Sequence, residues 1–224
     1  MVALLVDFLE HRPALLFRGS KDGVLPDGAT PIEPAVVTDE RYYFPSRIPS
    51  VGDLDGDGYA DIVTTRRPPY DVDPPGAVFV HRGSSTGPPV RPSVTLPNEL
   101  GARAFGDAIT GGDLNGDGLG DVAFTVGTLD EQQIHVHFGD PLGISLDPTR
   151  LSHPPGRSSA LLVIRGPGDF EGDGAMDLVD GAPYGDSLGV VAIWPGSADG
   201  LAAPFDLPTP AGHAFGALIP HSTF

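Results

Sequence analysis

Three short acidic stretches carry the chemistry of this chain. Residues 53–61, 113–121 and 169–177 share the pattern D-x-[DNE]-G-D-G-x-x-D. Side-chain oxygens stand at positions 1, 3, 5 and 9: Asp53, Asp55, Asp57 and Asp61 in the first copy, Asp113, Asn115, Asp117 and Asp121 in the second, and Asp169, Glu171, Asp173 and Asp177 in the third. They converge only if the chain turns sharply, and the glycine at position 6 (Gly58, Gly118 or Gly174) permits that turn. The carbonyls at position 7, those of Tyr59, Leu119 and Ala175, can add a further oxygen. Clustered carboxylates repel one another strongly unless a cation sits among them, and six or seven hard oxygen ligands suit calcium. Three Ca²⁺ per chain are expected, the third held most weakly because the longer Glu171 occupies a tight position. An ordinary solvated Asp/Gly turn is the alternative. Recurrence in three copies, each keeping the position-6 glycine, argues against it.

Other chemistries fit less well. The loops resemble the first nine positions of an EF-hand, but position 12 holds Thr64, Phe124 or Asp180 in place of a bidentate Glu. The flanking runs, such as Val122-Ala123-Phe124-Thr125-Val126, are short and β-rich, so helix-loop-helix is rejected. Gly185-Asp186-Ser187-Leu188-Gly189 satisfies G-x-S-x-G, yet a nucleophile elbow needs a helix after the serine and another strand follows at Val190. It reads as a connection between strands. His135 and His137 alternate on one strand face and His81 is equivalent to His137, which invites a transition-metal reading. The same position holds Phe17 and Trp194 elsewhere, which marks a packing site instead. Arg66-Arg67 reads as a solvated loop rather than a site for an acidic ligand. No catalytic residue is assigned, and the chain is read as not an enzyme.

The elements that position these loops recur with them. The loops are spaced by 60 and 56 residues, the signature of a repeat architecture. An apolar strand ending in Gly marks the same period: residues 14–19, 78–83, 134–139 and 191–196. A turn-rich stretch and a fourth short segment follow, such as residues 93–96 or 205–207. The unit is strand, cation loop, strand, connection, strand, turn, strand, which predicts an all-β fold of four-stranded antiparallel blades, as in a β-propeller.

At this point the chain resembles the FG-GAP repeats of the integrin α-subunit β-propeller and its bacterial relatives. Phe105-Gly106 and Phe215-Gly216 are FG pairs, Gly181-Ala182-Pro183 is a GAP, and the acidic loop lies between them. The resemblance covers essentially the whole chain. It departs at Pro45-Ser46 and Leu161-Leu162, which replace FG, and GAP is missing after the first two loops. The resemblance implies that the ions rigidify the turn between first and second strands, a structural role. It also implies an extracellular or cell-surface setting.

The ends align with the repeat as well. Residues 2–19 align without a gap to 122–139, and residues 213–218 align with the FG region. One domain over 1–224 is therefore expected, with blades at 45–97, 104–152 and 160–208. A composite blade takes strands two to four from 1–35 and its first strand from 211–224. The family's propellers usually have seven blades. A closed four-bladed ring, an eight-bladed homodimer and a piece of a longer propeller are all open.

Composition agrees with this architecture. Gly 31 and Pro 25 fall between apolar strands, where turns are needed, and 40% hydrophobic residues over 224 suffice for a core. A net charge of −17 argues against nucleic acid and anionic membrane surfaces, and the three loops supply 11 of the 30 acidic residues. Cysteine is absent, so no disulfide framework exists. The opening Met-Val-Ala-Leu-Leu-Val lacks a basic region and meets Asp7 and Glu10, so it reads as neither signal peptide nor membrane span. The function expected is a non-enzymatic, calcium-stabilised adhesion or ligand-interaction module whose partner is a protein or glycan. The alternative is a lectin or an accessory part of a larger extracellular enzyme. Tyr70 and Tyr184 in the connections would suit a lectin, but Leu129 and Asp130 stand in the second connection.

Overall fold

The computed structural model describes residues 2–5, 14–20, 23–24, 29–32, 51–66, 76–98, 101–102, 104–128, 132–152, 163–182 and 190–207. These residues form strands and turns, with no helix among them. The first sheet contains β1 (Val2–Leu5), β2 (Ala14–Ser20), β3 (Gly23–Val24) and β4 (Thr30–Ile32), with β2 paired to the other three. The second contains β5 (Ile62–Arg66), β6 (Ala77–His81) and β7 (Val94–Pro97) in that order. The third contains β8 (Ile109–Gly112), β9 (Asp121–Gly127), β10 (Gln132–His137) and, after a small hairpin of β11 (Gly139–Asp140) and β12 (Gly143–Ile144), β13 (Thr149–Leu151). The fourth contains β14 (Val163–Gly168), β15 (Asp177–Ala182), β16 (Val190–Trp194) and β17 (Phe205–Asp206).

The third and fourth sheets are complete four-stranded antiparallel meanders, as the repeat predicts. The second and third acidic loops each join a first strand to a second. The second sheet has three strands among the described residues, and its expected first strand near 45–50 lies outside them. So do Arg67, Tyr70, Leu129, Asp130, Leu161-Leu162, Pro183, Tyr184, the 185–189 motif, Phe215-Gly216 and the expected strand at 211–224. The 185–189 motif falls between β15 and β16, which pair antiparallel, so a strand follows it and not a helix.

Consecutive sheets stack face to face, and this is why the second strands are apolar on both faces. In β9, Val122, Phe124 and Val126 pack with Val63, Val78, Val80 and Leu96 of the preceding sheet. Ala123 faces the other way, joining Ile134, Val136, Ile164, Leu178 and Trp194. A strand buried on both faces loses the polar alternation of a half-exposed one. Ile62 likewise packs on Leu16 and Ile32 of the first sheet. Phe105-Gly106 serves this interface. The Phe105 ring meets Phe124 edge-on at 5.1 Å, while Gly106 adopts φ 71°, and a Cβ there would lie 3.1 Å from Thr65 Cγ2.

Strand register confirms that His81, His137 and Trp194 are equivalent. Each pairs with the first residue after its loop: Ile62, Val122 or Leu178. All three are buried, and His137 stacks on Phe124 at 5.2 Å. His81 Nδ1 and His137 Nδ1 each sit against a carbonyl of the following turn, Pro89 at 3.2 Å and Ser145 at 2.8 Å. The packing reading of this position therefore holds. The expectation for Arg66 fails. It ends β5 at 8% exposure with its guanidinium 5.5 Å from the Phe79 ring centre, because the stem fits the sheet interface and the aromatic face attracts the charge.

Candidate metal centre

The acidic loops share one local architecture, built by the aspartates before any ion is considered. The position-1 carboxylate folds the loop around itself. Asp53 accepts from the N–H groups of Gly56 (2.8 Å), Asp57 (3.2 Å) and Gly58 (2.7 Å). Asp113 accepts from Asp117 and Gly118, and Asp169 from Gly172, Asp173 and Gly174. The position-5 aspartate closes a second turn by accepting from position 7: Tyr59 on Asp57, Leu119 on Asp117, Ala175 on Asp173. The chain follows these turns because both glycines are left-handed, position 4 at φ 69–79° and position 6 at φ 88–97°. The position-4 glycine was legible in all three copies, although only position 6 was assigned the turn.

Position 9 is a clamp. Asp61, Asp121 and Asp177 are buried, each with both oxygens engaged. One oxygen accepts from the N–H at position 2, that of Leu54, Leu114 or Phe170. The other reaches the glycine that ends the third strand, with Gly83 N at 2.6 Å, Gly139 N at 2.8 Å and Gly196 N at 2.9 Å. Here lies the reason for the strand-ending glycine. A Cβ on Gly83 would lie 2.5 Å from the Ala60 carbonyl oxygen, on Gly139 2.8 Å from that of Leu54, and on Gly196 2.8 Å from that of Leu114. Sequence reasoning registered that glycine as a landmark and missed its partner. The signal was there in its constant pairing with a position-9 Asp.

Successive loops are also joined. Gly120 N donates to the Asp53 carbonyl and Met176 N to the Asp113 carbonyl, both at 2.7 Å. Position 8 of one loop thus bonds position 1 of the preceding loop.

Electrostatics in the loops favour a cation. Burial pushes the Asp121 carboxyl up to about 7, with Asp117 and Asp113 adding to the rise against the N–H bonds from Gly139 and Leu114. Asp61 is raised for the same reasons, burial first. Glu171 is raised by lost hydration and by Asp177, Asp173 and Asp169, whereas backbone N–H groups, Gly174 first, hold Asp169 below its usual range. Crowded carboxylates that resist ionisation are stabilised by a hard cation among them.

In the first loop, oxygens of Asp53, Asp55 and Asp61 lie within 4.8 Å of one another, a spacing that one ion with oxygen ligands at 2.3–2.6 Å can span. Asp57 is not in this group. Its Oδ1 accepts from Tyr59 N at 2.8 Å. Among the described residues no other three acidic or histidine side chains come this close, so neither the second and third loops nor His135 and His137 form such a group. The second loop has Asn115 in place of a carboxylate, and its amide donates to Asp117 at 2.9 Å. The donor chemistry fits calcium in all three loops.

Residues 53–124 match the family model described as an FG-GAP-like repeat. Mouse integrin alpha-3 is 35% identical over 133 residues, 56% of this chain and 12% of that protein. Mouse integrin alpha-7 is 41% identical over 81 residues, 35% of the chain and 6% of that protein. Drosophila melanogaster integrin alpha-PS5 is 30% identical over 156 residues, 64% of the chain and 15% of that protein. The chain therefore corresponds to a small part of each relative.

Proposed function

Since the chain belongs to the integrin-α-like FG-GAP repeat family, we propose that it is a calcium-stabilised β-propeller module that binds a protein or glycan and performs no catalysis. One observation carries this reading. Three copies of the loop present the same carboxylate scaffold at the same corner of successive sheets, tied to one another and to the strand ends by identical bonds. Such a scaffold builds a rigid edge. Bound Ca²⁺ would supply charge neutralisation and further oxygen bonds to the turn.

The proposed ligands are Asp53, Asp55, Asp57, Asp61 and the Tyr59 carbonyl; Asp113, Asn115, Asp117, Asp121 and the Leu119 carbonyl; and Asp169, Glu171, Asp173, Asp177 and the Ala175 carbonyl. Asp57 must turn toward the group formed by Asp53, Asp55 and Asp61 to join it. The single domain over 1–224 and its composite blade belong to the same proposal, as does an extracellular setting. Face-to-face stacking of the sheets supports the propeller.

Calorimetric titration with Ca²⁺ tests the metal reading: three sites per chain are expected, and no heat at millimolar calcium overturns it. A glycan array and a cell-adhesion assay, each run with calcium and with chelator, test the interaction role. Calcium-dependent retention is expected, and equal retention in chelator counts against it.

A further inference from the structure

The first loop has a cation held close beside it. Arg82 follows β6 directly, and its Nε lies 3.4 Å from Oδ2 of Asp55. The Asp55 side chain is only 8% exposed and that of Arg82 35%, so the pair is partly withdrawn from solvent. The guanidinium is also held from the far side, where Nη2 donates to the Leu142 carbonyl in the β11–β12 hairpin of the next sheet. Gly143 makes room for it. A Cβ there would collide with the guanidinium, and φ 133° at this residue disfavours any side chain. Strand register places His81 and His137 at equivalent positions, so the counterpart of Arg82 in the second repeat is Phe138 and in the third Pro195.

We propose that Arg82 is the built-in counter-cation of the first loop and sets its calcium affinity below the value that its four carboxylates would otherwise give. This inference rests on the calcium reading above. Asp55 stands at position 3 of the loop, where its carboxylate is both a proposed ion ligand and the partner of Arg82. A fixed positive charge this close repels an incoming divalent cation and competes for the same oxygen, and the anchor on the next sheet keeps it from swinging away. A loop of four carboxylates is thus tempered by a residue outside it. Ion occupancy in loop one is also tied to a contact between repeats.

Terbium replaces calcium at hard-oxygen sites, and Tyr59 at position 7 is the tyrosine within the three loops, so terbium luminescence excited through Tyr59 reads the first site in the full chain. The Tyr59→Phe variant identifies that signal while keeping the carbonyl. Calcium displacement of terbium then gives the affinity of the site in Arg82→Gln, which removes the charge, and in Arg82→Lys, which keeps it. Arg82→Gln is expected to bind calcium about tenfold more tightly at low salt, with the difference shrinking in about 1 M salt. Arg82→Lys is expected to stay near the parent. An unchanged or weaker site in Arg82→Gln overturns the proposal, since Arg82 would then act only through its bond to Leu142. Absence of ion binding in the parent and every variant overturns the calcium reading, and this inference with it.

Discussion

At the residue scale, the position-9 aspartates do more than complete a ligand set. Asp121 accepts from two N–H groups, that of Leu114 in its own loop and that of Gly139 just beyond β10. Asp121→Ala strands both in a buried setting, where each unpaired group costs about 1–3 kcal/mol. A loss of about 2–4 kcal/mol is expected even in chelator, read from urea unfolding. A loss confined to calcium-containing buffer would mean that the residue is a ligand only. His135 gives a pH-dependent prediction. Burial, aided by Arg150 and His137, lowers its pKa to about 4, below the ordinary imidazole value of 6.5. A depressed folded pKa contributes stability that is present above pH 6.5 and lost as pH falls toward 4. Between pH 7.5 and pH 5 this group should cost about 2 kcal/mol. His135→Phe should remove that share of the slope, and an unaltered slope would show that the imidazole titrates normally.

At the element scale, each loop leads into the second strand of its repeat, an entry that its own bonds and an ion can stiffen. With a dissociation constant of about 0.1 mM, about 2 mM calcium would stabilise each site by about 1.8 kcal/mol. Three sites would contribute about 5 kcal/mol, comparable with the net stability of a whole domain. Chelation should therefore lower the melting temperature well beyond experimental scatter, and superimposable melting curves would identify the loops as ordinary turns. The strand-ending glycines belong to the same corner. Gly139→Ala should destabilise by about 1–3 kcal/mol, because the added carbon meets the Leu54 carbonyl and the backbone must give way. Guanidinium unfolding checks this, with wild-type stability as the contrary result.

At the scale of the whole molecule, the interfaces between sheets govern stability, and position 2 of each loop reports on them. Leu54 and Leu114 are 1% and 0% exposed, each packed beneath the following sheet. Leu114→Ala should cost about 2–5 kcal/mol through the cavity it leaves. Phe170 occupies the same position in the third loop but is 63% exposed among the described residues. A composite blade formed from 211–224 and the first sheet would cover it. Phe170→Ser is then expected to destabilise the chain by about 2 kcal/mol in thermal unfolding, whereas no change would argue that no sheet closes over this face.

Much of this was legible in the residues themselves. Asp and Gly at fixed offsets dictate the left-handed turns whatever surrounds them, since the turns close through local bonds such as Gly58 N to Asp53. Periodic apolar runs broken by glycine and proline were enough to place β5, β9, β15 and their partners, because strand formation needs only pattern and punctuation. The role of Asp61, Asp121 and Asp177 as clamps depends on contacts 18 to 22 residues away along the chain, with Gly83, Gly139 and Gly196. Burial of Arg66 against Phe79 and the reach of Arg82 to Leu142, 60 residues on, arise only when sheets stack. Local composition determined the loops and strands. Which oxygen meets which amide, and which cation faces Asp55, was decided by tertiary packing, because those distances exist only once the sheets are pressed together.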